Sequence, residues 1–65
     1  ISKVEDQILR KVSEEATELS LASKKDATAE IISESADLLF HMLVLLAYKG
    51  IDVSEVFEEL RRRRR

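Results

Sequence analysis

Apolar residues recur at steps of three and four along the first third of the chain. The recurrence runs through Ile1, Val4, Ile8, Val12, Ala16, Leu19 and Ala22. Because this spacing places the side chains on one face of an α-helix, we predict an amphipathic helix over about residues 1–23. Lys24, Lys25 and Asp26 interrupt the pattern. Asp26 has a side chain suited to cap the start of a following helix.

A second helix is predicted from about Ala27 to Lys49, and Gly50 suits its end because glycine readily adopts the left-handed conformation found there. From Leu38 to Tyr48 the apolar run is interrupted only by His41. A helix that is apolar on all sides is buried on all sides. The rest of this short chain cannot cover it, so we expect a second copy to complete the core.

A third helix is predicted to begin after Asp52, because Asp52 and Glu55 resemble a capping box. Arg61–Arg65 close the chain. Cations suit the negative end of a helix dipole, and we expect the outermost arginines to fray into solvent.

The prediction is a single all-α domain over residues 1–65, a helical bundle completed by dimerisation. Since the chain begins at Ile1 in mid-pattern, we also expect an N-terminal arm to be missing. The apolar positions of the third helix are Val53, Val56, Phe57 and Leu60.

The composition agrees with an all-α domain and indicates in which cellular compartment the protein works. The 65 residues contain no cysteine, no proline and one glycine. A domain of this size buries only about 60% of its unfolded surface, so it is marginal alone. The absence of cysteine excludes disulfides and thiolate metal sites and favours a reducing cytoplasm.

Charge and length argue against nucleic acid and membrane partners. Five of the 11 basic residues are Arg61–Arg65, which leaves six against 13 acidic residues in the rest of the chain. Such an acidic body repels nucleic acid. The apolar run Leu38–Tyr48 is shorter than the roughly 20 residues that cross a bilayer as a helix, and no secretory signal opens the chain.

Two acidic clusters stand out against the apolar pattern: Glu14, Glu15 and Glu18 in the first helix, and Glu34 and Asp37 in the second. Residues three or four apart share a helix face, so each cluster presents paired carboxylates. Their mutual repulsion and desolvation must be offset by protons, cations or metal. Mg²⁺ suits such oxygen ligands and keeps positions open for phosphate and water. The alternative is an ordinary solvated helix face.

Other candidate residues are few. Lys11, Lys24 and Lys25 are candidate phosphate contacts, with the alternative that they are solvated surface lysines. We favour a structural role for His41, because a hard-cation site already has enough oxygens. A single glycine excludes a glycine-rich phosphate loop, and no nucleophile motif is present.

Three segments resemble a known family. They are Lys-Val-Ser-Glu-Glu-Ala-Thr-Glu at 11–18, Ser-Ala-Asp-Leu-Leu-Phe-His at 35–41 and Gly-Ile-Asp-Val-Ser-Glu-Val at 50–56. Over about residues 8–60 the chain resembles phosphoribosyl-ATP pyrophosphatase. That enzyme belongs to the MazG-like all-α nucleoside triphosphate pyrophosphohydrolases, which share Glu-Glu-x-x-Glu followed by Glu-x-x-Asp.

The resemblance implies Mg²⁺-dependent hydrolysis of phosphoribosyl-ATP to phosphoribosyl-AMP and pyrophosphate, the second step of histidine biosynthesis. For Glu14 it implies a role as metal ligand, as a residue that orients water or as the base; our own hypothesis for the mechanism is that Glu14 or Glu15 accepts the proton of the attacking water. The resemblance further implies phosphate contacts by Lys11 and by Lys24 or Lys25. The residues that match the family's metal-binding acids are Glu15, Glu18, Glu34 and Asp37.

Two departures from the family concern substrate contacts: Ser13 stands where glycine is frequent, and the usual N-terminal arm is absent. Two alternative functions stay open. One is a MazG-like or dCTP-type housekeeping pyrophosphatase that acts on other nucleotides with the same acids. The other is a non-catalytic helical dimerisation module whose acids are only a solvated face.

Overall fold

The computed structural model describes residues 3–64, which form three α-helices: α1 (Lys3–Lys24), α2 (Thr28–Tyr48) and α3 (Val53–Arg62). Within that range no residue lies in a β-strand, so the all-α prediction is confirmed. α2 begins and ends within one residue of the predicted bounds. The predicted start of the first helix at Ile1 and the terminal Arg65 lie outside the described residues.

α1 and α2 form an antiparallel hairpin, and the packed face of each helix follows a heptad-like spacing. Alternating steps of three and four are typical of two helices that pack at a shallow angle. The prediction placed Ala16 on this face, but Ala16 is exposed and the neighbouring Glu15 lies in the contact between the helices. The less exposed residues along the contact are Ile8, Val12, Glu15, Leu19 and Ala22 of α1, and Ile31, Glu34, Leu38, His41 and Leu45 of α2.

Asp26 ends α1 rather than capping α2, so the predicted N-cap was wrong. Its φ is 54°, in the left-handed region. The Asp26 N–H donates to the Ser23 carbonyl at 3.1 Å and the Ala27 N–H to the Ala22 carbonyl at 3.2 Å. This is the Schellman pattern of a helix C-terminus, in which aspartate takes the place usually held by glycine. Ala27 occupies the N-cap position of α2, without a side-chain cap.

Gly50 and Asp52 lie at the predicted end of α2 and start of α3, although Asp52 caps α3 through Ser54 and not in a capping box with Glu55. Gly50 has a φ of 72°, and the Ile51 N–H donates to the Leu46 carbonyl at 2.9 Å, a second Schellman pattern. Asp52 caps α3 by accepting a hydrogen bond from the Ser54 N–H at 2.8 Å. This bond lowers the pKa of the Asp52 carboxyl. Both ends of the short linker are therefore held by hydrogen bonds.

The described residues of a single chain, 3–64, do not form a compact core. Its radius of gyration is 13.7 Å, whereas a compact domain of this length has about 11 Å. Its accessible surface is 5398 Å², against about 4,200 Å² for a compact protein of the same mass. Among the described residues only Ala22 and Glu15 are buried, and α3 makes no extensive contact with the hairpin. Large apolar areas are thus left uncovered.

α2 is long and apolar enough to cross a membrane by length and composition alone. It has 21 residues, with a mean hydropathy of 1.5 over its most apolar window. The prediction counted only the run Leu38–Tyr48 and so underestimated the apolar length. Because the core helix of a soluble protein has the same properties, length does not decide between the two environments.

Candidate metal centre

Three carboxylates meet where the two helices of the hairpin pack. Glu15 lies in the contact face of α1, Glu18 follows one turn later, and Glu34 lies opposite them in the contact face of α2. One oxygen from each of these side chains lies within 4.8 Å of the other two. We call this group the carboxylate cluster. It combines acids from both of the clusters that stand apart in the sequence.

The carboxylate cluster is partly buried, and two of its oxygens have no hydrogen-bond partner among the described residues. Glu15 is only 8% exposed, and Glu34 is half-buried. The Oε1 atoms of Glu15 and Glu34 are both buried, with no hydrogen-bond partner in the described part of the chain. Buried acceptors without donors are costly, and most native structures pair them with a donor, a water or an ion. These oxygens are thus suited to a bound cation.

The electrostatics of the cluster also favour a bound cation. Desolvation raises the pKa of Glu34 to about 7, with further contributions from hydrogen bonds and charge repulsion from Glu15 and Glu18. Without a cation, Glu34 therefore holds a proton near neutral pH that its ordinary pKa would release. A metal ion that binds here would displace that proton, which couples metal affinity to pH.

The donor set fits a hard divalent cation. All three ligand atoms are carboxylate oxygens, which favours Mg²⁺ or Mn²⁺ over softer metals. Two oxygens on one Mg²⁺ lie at most about 4.2 Å apart, since each is about 2.1 Å from the ion. Only one pair of the three can lie opposite each other, and adjacent oxygens on an octahedral Mg²⁺ are about 3.0 Å apart, so the oxygens of the cluster, all within 4.8 Å of one another, would move together by up to about 2 Å. Side-chain rotation alone covers such a distance.

The other two predicted acids lie beside the cluster but outside it. Asp37 is one turn after Glu34 and exposed. The Glu14 carboxylate pairs with the Arg10 guanidinium at 3.1 Å and with the Lys11 ammonium at 3.6 Å. Lys11 thus contacts an acid adjacent to the cluster. Arg10 is a residue that the sequence reasoning missed, although its i, i+4 spacing to Glu14 was a usable signal.

An open depression lies on the α1 side of the cluster, with a volume of about 310 Å³. It combines a cluster carboxylate, Glu18, with the Arg10–Glu14 ion pair. A site that has both cationic and carboxylate side chains suits an anionic ligand that binds together with a metal ion, because the cation contacts the anion and the carboxylates contact the metal. The residues that line the depression are Arg10, Ser13, Glu14, Thr17 and Glu18.

The remaining predicted residues lie farther away. Lys24 ends α1, and Lys25 pairs with Glu30 at 3.0 Å in the turn between the helices. The structure does not bring either lysine into the cluster, and their phosphate contacts stay predictions. His41 lies in the helix contact, with its ring edge-on to Phe40 at 5.2 Å between centroids. Neither ring belongs to the cluster.

Comparisons with known proteins match this chain to one family. Residues 2–64 match the model of the phosphoribosyl-ATP pyrophosphohydrolase family. A phosphoribosyl-ATP pyrophosphatase of Methanobrevibacter smithii is 53% identical over 62 residues, which are 95% of this chain and 62% of that protein. The enzyme of the same name from Geotalea daltonii is 57% identical over 58 residues, 89% of this chain and 55% of that protein.

A third relative is a larger protein. The histidine biosynthesis bifunctional protein HisIE of Caldanaerobacter subterraneus is 50% identical over 58 residues, which are 89% of this chain and 28% of that protein. The chain thus spans little more than half the length of the two single-function relatives, and a smaller share of the bifunctional one.

Proposed function

Since this chain belongs to the phosphoribosyl-ATP pyrophosphohydrolase family, we propose that it hydrolyses phosphoribosyl-ATP to phosphoribosyl-AMP and pyrophosphate, in the second step of histidine biosynthesis. The observation that carries the proposal is the carboxylate cluster of Glu15, Glu18 and Glu34, whose oxygens lie within 4.8 Å of one another. Hydrolysis of a phosphoanhydride needs little from protein side chains except positioning and charge, so paired acids without a nucleophile motif are sufficient.

Mg²⁺ is the proposed cofactor, held by Glu15, Glu18 and Glu34, with Asp37 as a further ligand one turn along α2. When bound, a divalent ion neutralises charge on the phosphates and lowers the pKa of a coordinated water. The fit is supported by the two buried oxygens without a partner, Oε1 of Glu15 and of Glu34.

Glu14 is the proposed proton acceptor. It stands next to the cluster, and its carboxylate is oriented by Arg10 and Lys11. A substrate phosphate that binds Arg10 or Lys11 would weaken the ion pair of that cation with Glu14. The Glu14 carboxylate could then accept a proton from water. Glu15 is the alternative acceptor, but it is nearly buried within the cluster. Lys11 is thus a proposed phosphate contact, and Lys24 and Lys25 remain more distant candidates.

The proposed active form is a homodimer that buries the outer stripe of α2. We use this name for Ile32, Ala36, Leu39 and Leu43, which share the helix face opposite α1. All four are exposed in one chain, Ile32 by 66% and Leu39 by 55%. Packing two such stripes together forms a four-helix bundle from two hairpins, an arrangement that commonly holds metal between its helices.

We place this single helical domain in the cytoplasm. The absence of cysteine suits a reducing compartment. Although α2 is long enough to cross a bilayer, Glu34 and Asp37 lie near its middle, and charged groups at that depth in hydrocarbon are costly. An apolar helix that packs against α1 and a second copy explains the same composition.

The test is pyrophosphate release from phosphoribosyl-ATP, with and without Mg²⁺, beside a panel of deoxynucleoside triphosphates. We expect Mg²⁺-dependent release from phosphoribosyl-ATP and little from the panel. Preference for a deoxynucleotide would instead identify a housekeeping pyrophosphatase. No turnover, together with no thermal stabilisation by Mg²⁺ plus nucleotide, would leave only a dimerisation module.

A further inference from the structure

α3 carries an apolar stripe that its own chain leaves partly uncovered. Val53, Val56, Phe57 and Leu60 recur at steps of three and four on one side of the helix. Phe57 is 61% exposed and Leu60 is 59% exposed. Because α3 makes no extensive contact with α1 or α2 in the described residues, an isolated ten-residue helix would be marginal in water. Its stability requires a surface on which this stripe packs.

The linker directs α3 away from its own hairpin. Only residues 49–52 separate α2 from α3. Gly50 is held in the left-handed region with the Ile51 N–H bonded to Leu46, and Asp52 caps the next helix through Ser54. In this arrangement α3 makes no extensive contact with its own hairpin among the described residues. Another molecule can therefore cover the stripe.

The exposed apolar residues of α3 follow those of α2 along the chain. The outer stripe of α2 runs to Leu43, and Ile51 in the linker is exposed as well. Exposed apolar residues thus follow one another along the chain from the proposed dimer contact to Phe57 and Leu60. A second copy seated on the outer stripe would lie next to the start of α3.

The area also suits a second copy. The accessible surface of 5398 Å² is about 1,200 Å² larger than that of a compact protein of this mass. A stable interface needs roughly 800 Å² per partner.

We propose that α3 is an arm whose apolar stripe packs on α2 of a second copy of this chain, beside the contact between the two outer stripes. By two-fold symmetry each copy gives one arm and receives one. The proposal rests on the dimer of the proposed function, but it requires no metal, nucleotide or catalytic residue.

The first test compares Phe57→Glu with Ser54→Glu by sedimentation at several protein concentrations. Both variants add one negative charge to α3, the first within the apolar stripe and the second on the polar side of the helix. We expect Phe57→Glu to raise the dimer dissociation constant roughly a hundredfold, from the loss of one buried aromatic side chain. Ser54→Glu should dimerise like the unmodified chain. Equal dimerisation of both variants would overturn the proposal.

A second test does not depend on how well α3 folds in a variant. The chain has no cysteine, so single cysteines can be placed freely. A chain with Phe57→Cys is mixed and oxidised with a chain that carries Phe40→Cys or Met42→Cys, on the two flanks of the outer stripe. We expect a mixed disulfide with at least one of them, above the level given by Ser20→Cys on α1.

Two results of the cysteine test would contradict the arm. One is cross-linking no greater than with Ser20→Cys. The other is a chain with both Phe57→Cys and Phe40→Cys that closes a disulfide within itself, because α3 would then fold back on its own hairpin. Neither result would bear on pyrophosphate release, which is measured separately.

Discussion

At the residue scale, the register between α1 and α2 decides which carboxylates meet in the cluster. Glu-x-x-Glu and Glu-x-x-Asp spacings indicate shared helix faces, yet they do not say which acid faces the other helix. The structure places Glu15 in the helix contact where the periodicity suggested Ala16, and brings Glu15, Glu18 and Glu34 together. Glu14 turns instead to Arg10 and Lys11. Such choices depend on the register between two helices, which neither helix specifies alone.

Glu34 predicts a pH dependence of stability. Its pKa in the folded chain is about 7, above the usual value for glutamate, so between these two values the folded state binds more protons than the unfolded state. Stability must therefore fall as pH rises through that window and level off above it. We expect the melting temperature of the metal-free protein to be lower at pH 8 than at pH 5.

Replacing Glu34→Gln should remove most of that decrease, because an amide cannot ionise. Thermal melts of both proteins in EDTA across the pH range measure the difference. A variant whose melting temperature falls with pH as steeply as that of the unmodified chain would show that Glu34 is not the group responsible.

Asp37 predicts a kinetic effect, since we assign it as a further metal ligand. Asp37→Asn keeps the size of the side chain and removes its charge, so turnover of phosphoribosyl-ATP should fall by about 10–100-fold or more. The exposed position of Asp37 predicts unchanged helicity by circular dichroism. Glu30→Gln, which alters another exposed acid of α2, serves as the control. Full activity of Asp37→Asn would exclude it from the metal site.

At the element scale, hydrophobic periodicity and turn residues predicted three helices with nearly correct limits. Gly50 and Asp52 end and begin helices as their residue types suggest. Asp26 misled the prediction because aspartate serves both as an N-cap and as a tolerated left-handed residue. The backbone hydrogen bonds of Asp26 and Ala27 show that Asp26 belongs to the C-terminus of α1 and not to the N-terminus of α2. Every residue has these backbone groups, so the sequence pattern does not predict which of them bond.

This turn gives a stability prediction. Asp26 has a φ of 54°, where a side chain costs of order 1 kcal/mol that glycine avoids. We expect Asp26→Gly to raise the melting temperature by up to roughly 4–8 °C, reduced by the greater freedom of glycine in the unfolded chain. Ala29→Gly inside α2 should lower it. If Asp26→Gly is as destabilising as Ala29→Gly, the left-handed turn does not exist in solution.

At the scale of the whole molecule, the composition of α2 predicted that one chain cannot bury it. The structure agrees on that point: α2 contains no buried residue, and the chain is more extended than a compact domain. The direction of α3 could not be predicted, because it follows from the hydrogen bonds of a four-residue linker.

A dimer makes stability depend on concentration. If unfolding is coupled to dissociation, the melting temperature must rise with protein concentration. We expect such a rise for the unmodified chain, and its loss in Leu39→Glu, which places a charge in the outer stripe. Glu30→Gln again provides the control. A melting temperature independent of concentration over a hundredfold range would contradict the proposed dimer.

The most direct test of the central claim is a titration with Mn²⁺, followed by electron paramagnetic resonance, of the unmodified chain and of Glu18→Gln. Mn²⁺ accepts the same oxygen ligands as Mg²⁺ and is observed directly. If the carboxylate cluster is the metal site, the unmodified chain binds Mn²⁺ saturably, and Glu18→Gln binds it at least about tenfold more weakly. Equal binding by both proteins, or no binding by the unmodified chain, would contradict the account.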